Sequence, residues 1–497
     1  MTHEPLGQRI AHGAAWAFAS SWARIVVSLL AFAVIARVIG PVNYGLNTGA
    51  GALVVLFQVF VGPAAGEVIV QRQDLDPRIA SAYFWLLLAI GLTLFAALAG
   101  ASSLIAAAFD APAMAPVLIV YALTLPLSAL QTMPEASLSR DLQFRAQALA
   151  GGAGAIAGSA AGIGLALGGF GVWSLAVLQL TQALVQTTVL WIASAWRPAA
   201  APDFAALAPL LRYSSSSIGV RLLNELDNQL PKVFIGHVLG VAALGYYGLA
   251  RRVFDLLKDL LIVPLNMVAL PSIASARARG DDLPRLFGTA LRVSTFIANP
   301  AFLGLIAIAP LLIPAVFGPG WQAAIPALQL MALLGLRSAV NSFNGAALRG
   351  LGRPLQQVGI AALGVVLLCV TVPLAAQFGL LAAIGAVVFR SFATWPIAAM
   401  LVERLGVYPA RMQFTAGLRS LGAAALMALV IGLLSVELGQ TLAPWAALLV
   451  AMPAGVAVYG LLSYLAGPAD FRSGLQSLRR LLSKPAPLTT AAARPAV

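Results

Sequence analysis

Nine charged side chains crowd into one stretch of an otherwise apolar chain: Arg221, Glu225, Asp227, Lys232, Arg251, Arg252, Asp255, Lys258 and Asp259. Arg221 and Glu225 stand four apart, as do Arg251 and Asp255, while Asp255 and Lys258 stand three apart, so on helices these partners share faces. Arg24, Arg292, Arg337 and Arg390 are single cations inside or near the ends of apolar segments. A guanidinium grips phosphate through a planar fork and stays charged when desolvated, so this excess of Arg suits an anionic ligand. Arg24, Arg221, Arg252, Arg292 and Arg337 are therefore the candidate contacts for such an anion. Carboxylates in an apolar setting can take up and release a proton, or bind sodium, as their surroundings change. Asp255 and Asp259 are the first candidates for such ion coupling, followed by Asp227 and Glu225. His3, His12 and His237 are too scattered to form a metal site, no cofactor motif is present, and no Walker A sequence occurs. No residue is assigned a catalytic role.

The elements that must hold these charges follow from composition. Of 497 residues, 60% are hydrophobic and 9% charged, and the mean hydropathy is +0.92. Soluble domains carry about 25% charged residues. A water-soluble globule of this size is excluded, and the fold class is an all-α polytopic membrane protein. A helix needs about 20 apolar residues to cross the hydrocarbon core. Such stretches lie near 14–36, 44–66, 80–106, 114–133, 147–167, 172–195, 213–235, 242–271, 287–316, 323–347, 355–375, 379–402, 413–436 and 443–466. That predicts 14 spans. The segment 213–235 is poorly hydrophobic, and a polar span is tolerable only where its polar face packs on protein or lines a wet cavity.

The connecting loops divide into two sorts. One set carries Arg72 and Arg78, Arg140 and Arg145, Arg197 and Arg212, Arg277, Arg279 and Arg285, Arg349 and Arg353, and Arg404 and Arg411. The alternate loops 109–113, 168–171, 236–241, 317–322, 376–378 and 437–442 contain no Lys or Arg. Basic residues are retained on the cytoplasmic side during insertion, so both termini are expected there. The net charge of +13 thus marks cytoplasmic loops and implies no nucleic-acid partner. No cleaved signal peptide is expected, because the first apolar segment is too long. The short loops leave no room for an extramembrane catalytic domain, and the Pro/Ala-rich end of the chain predicts disorder. A single Cys excludes a disulfide framework.

The segment 36–50 has an echo at 236–250, in which Gly40, Tyr44, Gly45 and Leu46 match Gly240, Tyr247, Gly248 and Leu249 across a three-residue insertion. Six spans per half then give two parallel repeats, with substrate expected between them near the midplane. The expected divisions are 1–200, a first six-helix bundle; 201–405, a second; 406–470, two further helices; and 471–497, a cytoplasmic tail. Gly154, Gly158 and Gly162 recur every fourth residue, the spacing by which membrane helices approach closely. Trp16, Trp22, Trp85, Trp173 and Trp321 sit towards span ends and read mostly as interfacial anchors.

The segments ARVIGPVNYGL (36–46), GEVIVQRQDLD (66–76), EASLSRDLQFR (135–145), IGHVLGVAALGYYGLARRV (235–253) and FGPGW (317–321) occur in order. Together they resemble bacterial polysaccharide-repeat flippases, the polysaccharide-transporter branch of the multidrug/oligosaccharidyl-lipid/polysaccharide exporter superfamily. The resemblance departs at NQLPKVFIG, where Pro231 stands in place of an Asp before Lys232, with Asp227 one helical turn earlier. It implies an inner-membrane flippase for undecaprenyl-pyrophosphate-linked oligosaccharides, working by alternating access on a proton or sodium gradient. The implied partners are the lipid-linked oligosaccharide, membrane lipids and the polysaccharide polymerase machinery. A peptidoglycan-precursor flippase and a cation-coupled multidrug exporter share the fold. A drug exporter would want an acidic or aromatic cavity, and a membrane-embedded glycan polymerase or ligase would want a large external loop.

Reporter fusions test this topology. Those at positions 110, 169, 319 and 438 are expected to report the periplasm, and those at 74, 143, 282 and 475 the cytoplasm. A cytoplasmic signal at 319 would break the parity of the whole scheme.

Overall fold

In the computed structural model, the residues described are 6–71, 76–199, 201–279, 282–468, 471, 472 and 476; among these, the side chains of 6–26, 63, 64, 68, 71, 209, 212–217, 263, 266–279 and 354 are not described. Every element among the described residues is helical. The first part of the chain forms α1 (Leu6–Gln58), α2 (Pro63–Gln71), α3 (Pro77–Ala108), α4 (Met114–Ala122), α5 (Thr124–Arg140), α6 (Phe144–Leu167) and α7 (Trp173–Ala193). The second forms α8 (Ala208–Arg279), α9 (Leu283–Phe317), α10 (Ala324–Gly350), α11 (Pro354–Ala376) and α12 (Leu380–Arg404). After them come α13 (Ala410–Thr415), α14 (Leu418–Thr441) and α15 (Pro444–Ala466). Among the described residues, twelve helices are long and apolar enough to cross a membrane, which makes this a multi-pass membrane protein.

Two of the helical runs are too long for one crossing. At 1.5 Å per residue, the 53 residues of α1 would span about 80 Å and the 72 of α8 about 108 Å, against a hydrocarbon core of about 30 Å. Each run is interrupted by one residue. Gly40 has φ 72, ψ 176 and Gly240 has φ 81, ψ 175, a conformation open to glycine and costly for side chains. Both breaks fall where the hydropathy pattern separates neighbouring spans. Elsewhere the starts are set by capping: Asp76 accepts from the Arg78 N–H ahead of α3, and Asp282 from the Arg285 N–H ahead of α9.

The identical breaks correct the sequence register of the repeat. A Cβ placed on Gly45 would overlap the Val241 carbonyl, and one on Gly245 would overlap the Pro41 carbonyl. This reciprocal contact pairs Gly45 with Gly245 at a constant offset, without the three-residue insertion. Tyr247 and Gly248 attracted the sequence match because they repeat the Tyr-Gly dipeptide, one helical turn too late.

Around this contact the Lys/Arg-free loops 109–113, 168–171, 236–241 and 317–322 meet. Arg37 donates to the Ala315 carbonyl (3.0 Å), Trp321 to the Ala36 carbonyl (3.1 Å), and the His237 ring approaches the Ala108 carbonyl (2.6 Å). All three join the first part of the chain to the second. Trp321 is 1% exposed, with Tyr44, Tyr246 and Phe317 around it. It is therefore a core residue that clamps the two parts, and the expectation of an interfacial anchor fails for it because its N–H finds a carbonyl inside the protein. Trp85 is partly exposed, whereas the side chains of Trp16 and Trp22 lie outside those described.

The glycine stripe behaves as its spacing predicts. Added Cβ atoms on Gly154 and Gly158 would come within 2.8 and 2.6 Å of the Gln182 and Leu178 carbonyls, so α6 holds α7 at backbone distance. The helices α14 and α15 pack on α9, through Asn299 to Ser420 (2.8 Å), Ser435 to the Ala307 carbonyl (3.2 Å) and Tyr459 to the Phe296 carbonyl (2.8 Å).

Replacing Gly45 or Gly245 by Ala is expected to lower the melting temperature in detergent, since overpacking against fixed backbone costs about 1–3 kcal/mol. Gly164→Ala, where an added Cβ meets nothing within 4 Å, is the matched control and is expected to be neutral or stabilising. Equal melting of all three variants would remove the reciprocal contact from the account.

Candidate functional site

The charged stretch of α8 folds back on itself at Gly240, which brings its two limbs into contact. Arg251 on the second limb donates to Asn228 on the first (3.0 Å) and to Asp255 on its own turn (2.8 Å). Lys258 closes on the other oxygen of Asp255 (2.9 Å). On the first limb a relay runs along one face, from Lys232 to Gln229 (2.7 Å) and from Gln229 to Glu225 (3.2 Å). This answers how so polar a segment sits in the bundle: its polar face packs on protein.

The remaining acid of that limb points elsewhere. Asp227 accepts a hydrogen bond from Arg390 Nη2 of α12 (3.0 Å), and the Arg390 Nη1 lies 2.7 Å from its other oxygen, a close ion pair. Gly364 of α11 leaves the room, since a Cβ there would stand 3.3 Å from the Arg390 Nη1. Arg337 of α10 lies in the same electrostatic neighbourhood, sensing Arg390 and Asp227. Its Nε is buried without a hydrogen-bond partner, as is that of Arg390. Asp227 thus pairs with Arg390, and the buried Arg337 lies within the field of both, inside the membrane-embedded part of the chain.

The expected site residues divide accordingly. Asp227, Arg337 and Arg390 come together from α8, α10 and α12 although 163 positions separate Asp227 from Arg390. Asp255 is held between two cations, whereas Asp259, exposed on the same helix, has no ion pair among the described residues. Arg221 is exposed and does not pair with Glu225, which instead accepts from Gln229. Arg252 is exposed, and Arg292 is exposed with only a long contact to Thr289 (3.3 Å). The side chain of Arg24 lies outside those described.

The first part of the chain holds a site that the charge pattern does not reveal. A cavity of about 210 Å³ opens between α1, α5 and α7, lined by Gln58, Gln131, Gln179, Gln182 and Gln186 together with hydroxyl groups, and by no charged residue. Gln58 reaches Thr124 (3.1 Å), and Gln131 ties α5 to α7 through Thr187 (2.8 Å) and the Ala183 carbonyl (3.0 Å). The signal was present in sequence: Gln179, Gln182 and Gln186 fall at helical spacing on one face of an apolar span.

Comparison with known proteins places this arrangement. A family model described as polysaccharide biosynthesis protein matches residues 34–326, more than half of the chain. The teichuronic acid biosynthesis protein TuaB of Bacillus subtilis is 23% identical over 70% of this chain and 72% of its own length. The succinoglycan biosynthesis transport protein ExoT of Rhizobium meliloti is 25% identical over 67% of each chain. Among solved structures, the lipid II flippase MurJ in an inward closed conformation superposes with a TM-score of 0.71 at 14% identity, covering 90% of this chain and 98% of that one. That likeness establishes a shared fold.

Asp227→Asn is expected to destabilise the protein by about 3–5 kcal/mol, because it strands a buried cation beside a second one. The exchange Asp227→Arg with Arg390→Asp is expected to recover part of the loss, read as thermal melting of the purified variants. An unchanged melting temperature for Asp227→Asn would show that the pair bears no strain of burial.

Proposed function

The chain belongs to the polysaccharide biosynthesis protein family, and on that premise we propose that it flips lipid-linked oligosaccharide repeat units across the bacterial inner membrane. The carrier is undecaprenyl pyrophosphate, and the product feeds surface polysaccharide assembly. The apolar tail can stay in the bilayer, so only the pyrophosphate and the sugars need a polar route. No bond in the substrate is made or broken, and the chain is a transporter rather than an enzyme.

The observation that carries this reading is the pair of guanidiniums around Asp227. A charged side chain at the centre of a membrane helix costs about 2.5–3.5 kcal/mol on insertion scales, so two of them beside a single acid are retained for use. Arg390 is neutralised at rest by Asp227, and Arg337 has an unfilled donor that a phosphate oxygen would satisfy. An arriving anion completes the coordination of Arg337 without first breaking the Arg390 pair. Several moderate contacts of this kind suit a ligand that must also leave. An organic-cation exporter would invert this balance of charge.

Alternating access supplies the motion. The three hydrogen bonds and the buried Trp321, beside the Lys/Arg-free loops, form the closure that has to release when the opposite side seals. On this reading each of the two bent runs serves as a pair of crossings, for fourteen in all with both termini in the cytoplasm. A proton or sodium gradient drives the cycle. Asp259, an exposed acid of α8 with no ion pair among the described residues, is available to exchange a proton or a cation, whereas Asp255 is engaged by Arg251 and Lys258. Polymerase machinery acting on the exported unit is the expected downstream partner.

The test is export in a strain whose surface polysaccharide depends on this chain. Arg337→Ala is expected to reduce it by about tenfold to a hundredfold, the effect of one lost contact to a charged group worth about 1.5–3 kcal/mol, at normal membrane levels of the protein. Arg337→Lys is expected to keep part of the activity, because the charge survives without the fork. Asp259→Asn is expected to flatten the response to a collapsed proton or sodium gradient. Full export by Arg337→Ala would defeat the anion-site reading.

A further inference from the structure

The amide-lined cavity between α1, α5 and α7 is separate from the charged network, and its chemistry is different. We propose that it is a carbohydrate subsite that takes an uncharged, hydroxyl-bearing sugar of the transported unit. The proposal rests on the lipid-linked reading for the identity of the whole substrate, while the cavity itself is argued from its own walls.

A carboxamide presents an acceptor and two donors in one plane, the complement of neighbouring hydroxyls on a sugar ring. Five of them converge on one space of about 210 Å³, room for roughly seven waters at about 30 Å³ each, the scale of one sugar ring rather than of an ion. No charged side chain lines the space, so a phosphate gains no counter-charge there and an apolar tail meets amides.

The competing role for Gln in membrane helices is to tie helices together through hydrogen bonds. Two of the five do this. Gln131 is spent on Thr187 and the Ala183 carbonyl, and Gln58 on Thr124, with a longer reach to Ser128 (3.5 Å). Gln179, Gln182 and Gln186 make no side-chain hydrogen bond among the described residues, yet all three line the cavity. The stems of Gln182 and Gln186 pack on Gly154 and Gly158 of α6, a contact that does not need their amide groups. The glycine face of α6 already seats α7 at backbone distance at Leu178 and Gln182. Three amides with open hydrogen-bonding capacity on one side of a membrane helix have a use only when something polar enters.

Ser128, on the wall of the cavity, gives a direct readout. In the full-length protein, Ser128→Cys is combined with Cys369→Ala, which removes the single native thiol. Maleimide labelling is then followed in detergent with three probes: undecaprenyl pyrophosphate carrying a neutral hexose trisaccharide, the same lipid without sugar, and the free trisaccharide. The sugar-bearing lipid is expected to slow labelling at least tenfold more than the bare lipid. Gln182→Leu with Gln186→Leu is expected to abolish that difference while leaving bare-lipid affinity unchanged, which also shows that the variant is folded. Equal labelling with both lipids, or a difference that survives in the double variant, overturns the subsite. If neither lipid binds but the free trisaccharide still protects the thiol, the subsite stands and the lipid-linked reading falls.

Discussion

The architecture depends on two glycines meeting two carbonyls. Gly45 lies against the Val241 carbonyl and Gly245 against the Pro41 carbonyl, so the two halves touch backbone to backbone where each long run has just been broken. Any side chain at either position would push the halves apart. The breaks themselves need glycine, because φ near 70–80° with ψ near 175° is closed to other residues at modest cost. One short repeated segment therefore both turns the chain within each half and joins the halves. The clamps by Arg37, Trp321 and His237 form around that contact, beside the loops that lack basic residues.

Fold class was legible because the bilayer is an undemanding reader. It selects on the length and apolarity of each segment, and both are visible without knowing any tertiary contact. The glycine stripe at 154, 158 and 162 was legible for the same local reason: its spacing alone puts one bare face on α6. Contacts across the bundle were not. Nothing near Arg390 in sequence announces Asp227, and nothing near Trp321 announces the Ala36 carbonyl. Arg337 looked isolated because its neighbourhood is assembled from α8 and α12. The Gln face of α7 was missed for another reason. Attention went to groups whose burial is costly, and an amide is cheap enough in a membrane helix to pass as glue.

The first and second parts of the chain repeat the same glycine break, in α1 and α8, but carry different chemistry. The second half holds ionised groups and must neutralise them at rest, which it does by pairing Asp227 with Arg390 and by enclosing Asp255 between Arg251 and Lys258. The first half holds neutral amides and needs no such compensation, so its cavity can stand open at little cost. A substrate with a doubly charged end and a neutral end matches that division. On the proposed reading its two ends would be held by bodies that move relative to each other. Rocking of the halves would then stretch the bound substrate between its two subsites. Neither set of contacts has to be weak for release to occur. It is enough that the geometry that satisfies both exists in only one arrangement of the halves.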